Sequence, residues 1–419
     1  MAEISFWGGV GVIGSSKVLI EQQGWRVLLD LGLDFTPVPH LFRGRVAPRP
    51  GQALQDQIRT GSVPAIPHLY RPEAIAGLDL AGSSDAKTAL FLTHAHPDHA
   101  GLAGWVDPGV PIYASALTGQ ILAAQESAGM GLPGGVPAVH ALPLGDPLPF
   151  GPFMVTAHAV DHDIPGAVGF LVETEDGVVA YSGDIRLHGR HPEWSLQFAE
   201  AARGARALVI EGTTLSFGFQ RAEPTEKMVD GAFAEILERT PGLVLMAALP
   251  ANLERIAAFV DLARGRGRTI LWPPAQAQFL KTMGLTDIKT LDLAAQKADI
   301  HARPGHYVVQ LTVPDIPVLL DLPVGPGSVF VHANGEPFGD YDPDWTILHD
   351  WLTYTHTPFW SIGTSGHASP ADVHLLVETV APDIVFPIHS AAPDRLVPPP
   401  GTARWLPERG GRRFTLSRP

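Results

Sequence analysis

A short run of the chain contains four side chains that can bind metal ions. His94, His96, Asp98 and His99 occur in the sequence His-Ala-His-Pro-Asp-His, directly after the apolar segment Ala89–Leu92. Alternate residues of a strand face the same side, so His94 and His96 can share one ion. The turn after them allows Asp98 and His99 to reach a second ion. The alternative, a histidine-rich surface loop, does not account for the apolar strand before the run.

Further ligands are expected where other predicted strands end. His162, in Asp161-His-Asp-Ile-Pro165, is our choice for the first ion, and His158 is its rival. Asp184 follows the apolar segment that ends at Tyr181 and is placed to bridge two ions, although a lone Gly-Asp is usually a turn. His389 follows the last predicted strand and would complete the second site. Two other histidines are expected at the surface or behind the ligands: His188 and His191.

The elements that position these residues indicate a mixed α/β protein. Residues 18–29 read as two strands around a glycine turn, and residues 114–128 read as a helix. Strands mixed with helices favour a layered α/β domain. After residue 211 a second α/β unit is expected, in which Asn252 caps a helix and Thr269–Trp272 form a strand. Residues 36–72 are predicted to be a long loop.

Composition excludes several classes of protein. The chain has 419 residues with 45% apolar content, which is enough for two domains, and no cysteine, which excludes disulfides and thiolate zinc sites. The formal charge of −14 argues against non-specific coating of nucleic acid, but it leaves room for a local basic groove. No leader sequence and no long apolar run is seen, so we expect a soluble, cytoplasmic protein without membrane contact.

Taken together, these residues resemble the metallo-β-lactamase superfamily. The ordered set of candidate ligands matches the ligands of that family, and Asp30 stands where the family has a supporting aspartate. The resemblance implies an αββα sandwich that binds two divalent ions, with Zn²⁺ expected and Mn²⁺ as the alternative, since these ligands accept both. The ligand set is His94, His96, Asp98, His99, His162, Asp184 and His389.

Three later motifs resemble the signatures of the β-CASP subfamily. Glu211-Gly-Thr213 looks like the first, Ser365-Gly-His-Ala-Ser369 like the second and Pro387-Ile-His389 like the third. Ribonuclease J and the pre-mRNA 3′-end endonuclease carry a histidine at the third signature, as this chain does. The DNA-crosslink-repair nucleases tend to carry valine there. The implied organisation is a metallo-β-lactamase domain in residues 1–208 and 355–419, with an inserted α/β β-CASP domain in residues 209–354.

The resemblance also implies catalytic roles. Asp98 is a ligand and a partner for the proton of the nucleophile, and His367 is the candidate general acid, oriented by Glu211. A strand-end surface carboxylate is the alternative for Glu211. The loop formed by Ser365, Gly366, His367, Ala368 and Ser369 precedes a helix and is a candidate phosphate-binding site, with a plain turn as the alternative.

The implied function is hydrolysis of phosphodiester bonds in single-stranded RNA, with single-stranded DNA as a second substrate. The main rival is a small-molecule hydrolase acting on a thioester, lactone or lactam, because one fold hosts many chemistries. A non-catalytic RNA-binding subunit is the second rival. Several side chains are weaker candidates for nucleic-acid contact, with solvated faces or core packing as the alternatives: Arg264, Arg266, Arg268, Arg409, Arg412, Arg413, Trp272, Trp345, Trp360 and His332.

Overall fold

The computed structural model describes residues 1–34, 41–42, 46–82, 87–217, 223–335 and 343–417. Within these ranges the strands fall into three sheets. The strands are β1 (Glu3–Gly8), β2 (Lys17–Gln22), β3 (Trp25–Leu29), β4 (Thr88–Phe91), β5 (Ile112–Ser115), β6 (Val139–Leu142), β7 (Pro147–Phe150), β8 (Phe153–Ala159), β9 (Val168–Thr174), β10 (Gly177–Tyr181), β11 (Ala207–Glu211), β12 (Val244–Ala247), β13 (Thr269–Trp272), β14 (Lys289–Thr290), β15 (Tyr307–Gln310), β16 (Val329–His332), β17 (Phe359–Ser361), β18 (Ile384–Ile388), β19 (Ala403–Arg404) and β20 (Arg413–Thr415).

Helices lie between many of these strands. The α-helices of the described ranges are α1 (Ala53–Arg59), α2 (Pro97–Ala100), α3 (Ala116–Ser127), α4 (Pro192–Ala201), α5 (Glu226–Arg239), α6 (Leu253–Arg264), α7 (Pro274–Thr282), α8 (Leu293–Ala302), α9 (Pro343–Tyr354) and α10 (Pro370–Val380). None of the helices in the described part of the chain has the length and apolar content needed to cross a membrane.

The first two sheets pack face to face. Their strand orders are β20-β1-β2-β3-β4-β5-β6 and β19-β18-β11-β10-β9-β8-β7. Aromatic rings fill the space between them: Phe6 lies 5.1 Å from Phe386, and Phe91 lies 5.7 Å from Phe170, between ring centroids. Apolar side chains of α3 cover the outer face of the first sheet, and those of α4 and α10 cover the outer face of the second. This arrangement confirms the predicted αββα sandwich.

The third sheet forms the inserted α/β unit. Its strands run in the order β14-β13-β15-β12-β16-β17, and all of its pairs are parallel. Parallel sheets need cover on both faces. Here α5 and α6 pack on one face, where the rings of Phe233 and Phe259 stack at 4.0 Å, and α8 and α9 pack on the other. This unit enters the chain between β11 and β18.

The domain limits stay a proposal. β11, at the proposed start of the insert, is a central strand of the second sheet, between β10 and β18. β17 lies within the proposed return segment 355–419 and yet pairs with β16 of the third sheet. β17 therefore follows the proposed end of the insert in sequence but belongs to the sheet of the inserted unit.

Local sequence signals explain two of the helix starts that bear on the site. The side chain of Asn252 accepts a hydrogen bond from Arg255 N at 3.2 Å, so the predicted cap of α6 is confirmed. Ser369 caps α10 in the same way through Asp372 N, also at 3.2 Å. The prediction that residues 36–72 form a long loop was wrong in part, because α1 lies inside this segment. Residues 35–40 and 43–45 of that segment lie outside the described residues.

Candidate metal centre

The candidate ligands meet at one edge of the sandwich because they follow strands that point the same way. The run from His94 to His99 follows β4 and continues into α2, whereas Asp184 follows β10 and His389 follows β18. β10, β11 and β18 are parallel neighbours, so their carboxyl ends share an edge. His162 comes just after β8, whose antiparallel pairing with β9 gives it the direction of β10.

Four of these residues form a first group of ligand atoms. The Nδ1 atom of His96 lies 3.0 Å from His94 Nε2 and 3.2 Å from His162 Nε2. Asp184 Oδ2 is 3.8 Å from His94 Nε2. Ligands about 2.1 Å from one tetrahedral ion stand about 3.4 Å apart. The observed spacings are close to that value, so these four atoms can surround one ion.

A second group shares Asp184 with the first. Asp184 Oδ2 lies 3.1 Å from His99 Nε2, and Asp98 Oδ2 lies 3.1 Å from His389 Nε2. Within each group the ligand atoms are all within 4.8 Å of one another. All of the predicted ligands are therefore brought together, and Asp184 occupies the bridging position. Their role as ligands stays a prediction.

In four of the five candidate histidines, the ring nitrogen that does not face the other ligand atoms lies within hydrogen-bond distance of a polar group. Such partners fix the tautomer and leave the other nitrogen free for an ion. The held atoms are Nδ1 of His94 by Thr93 Oγ1 (3.0 Å), of His99 by Asp30 Oδ2 (2.7 Å), of His162 by the carbonyl of Gly366 (2.6 Å) and of His389 by Thr213 Oγ1 (2.7 Å).

Asp30 supports this arrangement from behind. Its carboxylate accepts hydrogen bonds from Thr93 N and Tyr181 OH, both at 2.7 Å, in addition to the contact with His99. Its backbone has φ = 59°, a left-handed conformation that Asp and Asn adopt more readily than other non-glycine residues. The residue type at this turn is therefore set both by the backbone and by its three partners.

The charge state of the site fits divalent ions. Burial, together with the nearby imidazole of His99, lowers the pKa of His94 well below its ordinary value, so His94 offers a neutral lone pair. Burial alone would raise the pKa of Asp184, but His389 and His99 hold it well below the usual range. Among the described residues, Asp184 Oδ1 has no hydrogen-bond partner although it is buried. A bound ion would relieve this unpaired charge.

His367 and Glu211 stand beside the bridging aspartate. His367 Nδ1 lies 3.5 Å from Glu211 Oε1 and 3.7 Å from Asp184 Oδ2. Glu211 is fixed by the backbone N–H groups of Ala368 (3.0 Å) and Thr213 (2.8 Å). Burial alone would lower the pKa of His367, but Glu211 and Asp184 raise it to about 10. In the metal-free site, the two carboxylates therefore favour the protonated ring at neutral pH.

The loop from Ser365 to Ser369 is held tightly against the first group. The His367 N–H donates to Ser365 Oγ at 3.0 Å, and the Ala368 N–H is engaged by Glu211. A Cβ atom on Gly366 would come within 2.7 Å of the His162 ring. Glycine is thus required here by close approach. Since two of its N–H groups are already used, the phosphate-binding role of this loop stays a prediction.

The remaining histidine candidates lie apart from the ligand groups. His158 is half-buried on β8, with its ring 6.5 Å from that of Phe198. His188 Nε2 contacts the carbonyl of Ser365 at 2.8 Å, so it stands behind the site as expected. His191 pairs with Glu254 at 2.9 Å near the surface. His332 is buried at the end of β16, which favours the packing role.

The arginine clusters are mostly engaged in ion pairs. Arg264 pairs with Asp261 and Asp287, and Arg266 pairs with Glu238. Arg409, Arg412 and Arg413 have acidic partners as well. Among the tryptophans, Trp272 is fully buried and belongs to the core, whereas the side chain of Trp360 is exposed. The ion pairs favour a surface role for the arginines, and burial favours a core role for Trp272. Only the exposed Trp360, among these side chains, remains a candidate for contact with nucleic acid.

Sequence reasoning missed a buried cluster behind the loop. The Glu226 carboxylate lies 3.0 Å from Arg186 Nη1 and 2.6 Å from Arg255 Nη2. Arg186 also donates to the carbonyls of Ser365 and His162, both at 3.1 Å. Glu226, Arg186 and Arg255 each lie in a helix or loop segment that contains no recognisable motif. No local pattern marks them as partners, because they are distant along the chain.

Comparisons with known proteins agree with this geometry. A family model described as "Beta-lactamase superfamily domain" matches residues 77–231. Ribonuclease J of Sinorhizobium meliloti is 30% identical over 193 residues, which cover 44% of this chain and 33% of that protein. Ribonuclease J of Mycoplasma pneumoniae is 22% identical over 423 residues, covering 92% of this chain and 67% of that protein. The chain thus spans between one third and two thirds of the length of these relatives.

One solved structure is similar to this chain over nearly its whole length. A protein of unknown function from Enterococcus faecalis V583 has 27% identity and a TM-score of 0.81, and the match covers 99% of both chains. Ribonuclease J of Mycobacterium tuberculosis is 23% identical over 419 residues, 91% of this chain. The chain is thus similar to the β-lactamase superfamily over residues 77–231 and to ribonuclease J proteins over most of its length.

Proposed function

We propose that this protein is a metal-dependent hydrolase that cleaves phosphodiester bonds of single-stranded RNA in the cytoplasm. The observation that carries the proposal is the placement of His367, held by Glu211, 3.7 Å from the bridging carboxylate of Asp184. The relatives named ribonuclease J support RNA as the substrate. Single-stranded DNA is proposed as a second substrate because the same bond type is cut.

The two groups of ligands would hold two divalent ions, Zn²⁺ or Mn²⁺. Such ions, when bound, neutralise a phosphate oxygen and make water a usable nucleophile by lowering its pKa towards ~7. Burial alone would raise the pKa of Asp98, but His99 and His389 hold it below its usual range, so Asp98 is a carboxylate. Asp98 is thus able to accept a hydrogen bond from the attacking water and orient it.

His367 has the properties of a general acid. Its contact with Glu211 favours the protonated form, and 17% of its side chain remains exposed, so a substrate can reach it. Its proton would pass to the 3′-oxygen that leaves when the phosphodiester bond breaks. Glu211 holds the imidazolium and cannot itself reach solvent, because it is buried. The same two side chains could join His389 as ligands of an ion, so their role must be tested directly.

A cleavage assay with variants tests the proposal. End-labelled single-stranded RNA and matched single-stranded DNA are incubated with the purified protein and added Zn²⁺ or Mn²⁺. The Asp184→Asn variant is expected to lose cleavage almost completely, and His367→Ala is expected to lose ~10²–10⁴-fold, the usual range for a general acid. The exposed surface residue His140 supplies the control, His140→Ala, which should cut like the parent.

The outcomes separate the alternatives. Cleavage of RNA by the parent and the control, with loss in both site variants, supports the nuclease. No cleavage of either strand with any metal would contradict it, and turnover of thioester or lactone substrates would then favour the small-molecule hydrolase. Loss of one bound ion in His367→Ala would show that His367 is a ligand and would contradict its role as the acid.

A further inference from the structure

One candidate ligand, His96, differs from the other four histidines in how its ring is held. Its Nδ1 atom faces the Nε2 atoms of His94 and His162, so Nδ1 is the atom that would bind an ion. Its other nitrogen, Nε2, is buried and has no hydrogen-bond partner among the described residues. Every other candidate histidine has its second ring nitrogen held by a polar neighbour.

Asp163 supplies the missing partner. Its Oδ1 atom lies 3.5 Å from His96 Nε2, and this oxygen is also buried without a hydrogen-bond partner among the described residues. Two unpaired buried atoms of opposite character, a nitrogen able to carry a proton and a carboxylate oxygen, thus face each other. A movement of about 0.5 Å would give a hydrogen bond of ordinary length.

The surroundings of Asp163 fix it in this place. Gly366 packs against it so closely that a Cβ atom there would come within 3.0 Å of the Asp163 carboxyl carbon. The carboxylate therefore has little freedom to turn away from His96.

We propose that Asp163 is a positioning residue: it accepts a hydrogen bond from Nε2–H of His96 and so holds the ring with Nδ1 directed at the first metal ion. The inference rests on the proposed function only in that two ions bind. Asp163 Oδ1 also lies 3.2 Å from His162 Nε2, so direct binding of the ion by Asp163 is the alternative that the test must separate. Asp163 does not belong to the first group of ligand atoms, whose members all lie within 4.8 Å of one another, and we therefore assign it to His96.

Metal affinity measured without substrate tests this role. The parent, Asp163→Ala and Asp163→Asn are loaded with Zn²⁺, and the ions are titrated out with a coloured chelator. Loss of a partner that orients a ligand usually weakens metal binding 10–100-fold. We expect Asp163→Ala to weaken one of the two ions by ~10–100-fold and leave the other unchanged. Asp163→Asn keeps an acceptor oxygen, so it should recover most of the affinity.

A control and a second measurement complete the test. Asp56 is also buried and pairs with Arg49 away from the site, so Asp56→Ala should keep the affinity of the parent. X-ray absorption of the loaded proteins reports the number of ligands around the ions. Unchanged numbers with weakened binding support the positioning role, whereas a lost oxygen ligand in Asp163→Ala would show direct binding and overturn it.

The remaining outcomes distinguish this inference from the proposed function. Two ions bound with parental affinity in Asp163→Ala would overturn the role of Asp163 and leave the nuclease proposal intact. A parent protein that binds no ion would contradict both. Equal weakening by the alanine and asparagine variants would mean that the charge, and not the hydrogen bond, matters, and would also overturn the proposed role.

Discussion

Glu226 and Arg186 form an ion pair, 3.0 Å from Oε1 to Nη1, that joins the first turn of α5 to the segment following β10. Both side chains are fully buried. Arg186 continues from this pair to the carbonyl of Ser365, two residues before His367. One carboxylate of the inserted unit therefore fixes the loop that carries the candidate acid.

Removing this carboxylate should destabilise the protein. Breaking a buried pair leaves an uncompensated charge and costs ~3–5 kcal/mol. We expect that loss in the free energy of unfolding for Glu226→Gln, measured by urea denaturation. Glu235 lies on the same helix in an exposed pair with Arg239, so Glu235→Gln should cost less than ~1 kcal/mol. Equal losses in the two variants would show that the cluster does not fix the structure.

The pH dependence of cleavage should report His367. Its pKa lies above the ordinary value of 6.5, so the protonated ring is retained through neutral pH and lost as pH rises through about 10. Cations bound beside Asp184 would lower the pKa of His367. Glu211→Gln removes the charge that raises the pKa, so the alkaline fall in kcat should move to lower pH. Glu173 is exposed on β9, and Glu173→Gln should keep the parental profile. An unmoved alkaline limb in Glu211→Gln would contradict the assignment.

Gly366 should not tolerate a side chain. A Cβ atom there would lie 2.7 Å from His162 Cε1, so Gly366→Ala must displace that ring and weaken the first metal site. We expect at least ~10-fold weaker Zn²⁺ binding by chelator titration. Gly231, on the exposed side of α5, has no atom within 4 Å of such a Cβ. Gly231→Ala should therefore bind metal normally and gain ~0.5–1 kcal/mol of stability. Parental metal affinity in Gly366→Ala would refute the packing argument.

Chelation should lower the thermal stability. Ions that bind only the folded state stabilise it by about 4 kcal/mol when their concentration is about 1,000 times the dissociation constant. We expect a lower melting temperature in excess EDTA and its recovery when Zn²⁺ is added back, measured by calorimetry. Asp184→Asn, which loses the shared ligand, should show a smaller difference between the two conditions. An identical response in parent and variant would argue against Asp184 as the bridge.

Sequence reasoning found the residues at strand ends and missed the contacts that cross between the two units. His94, Asp184 and His389 were predictable because each comes just after an apolar strand, and strand ends at one edge must converge. Asp163 was passed over because it lies beside the stronger candidate His162. Helix α1 was missed because it has only 7 residues within a proline-rich segment. The partnership of Glu226 with Arg186 depends on tertiary packing and leaves no periodic signal.

The order of the ligands along the chain has a consequence for synthesis. The proposed first site takes its ligands from residues 94 to 184, whereas the proposed second site needs His389 as well. During translation the candidate ligands of the first site are all made before His389 is. His389 can join the other members of its group only after the inserted unit has been made and β18 has paired with β11. Under the proposal of two ions, loading of the second ion would require that the inserted unit and the return strand have both been made and assembled.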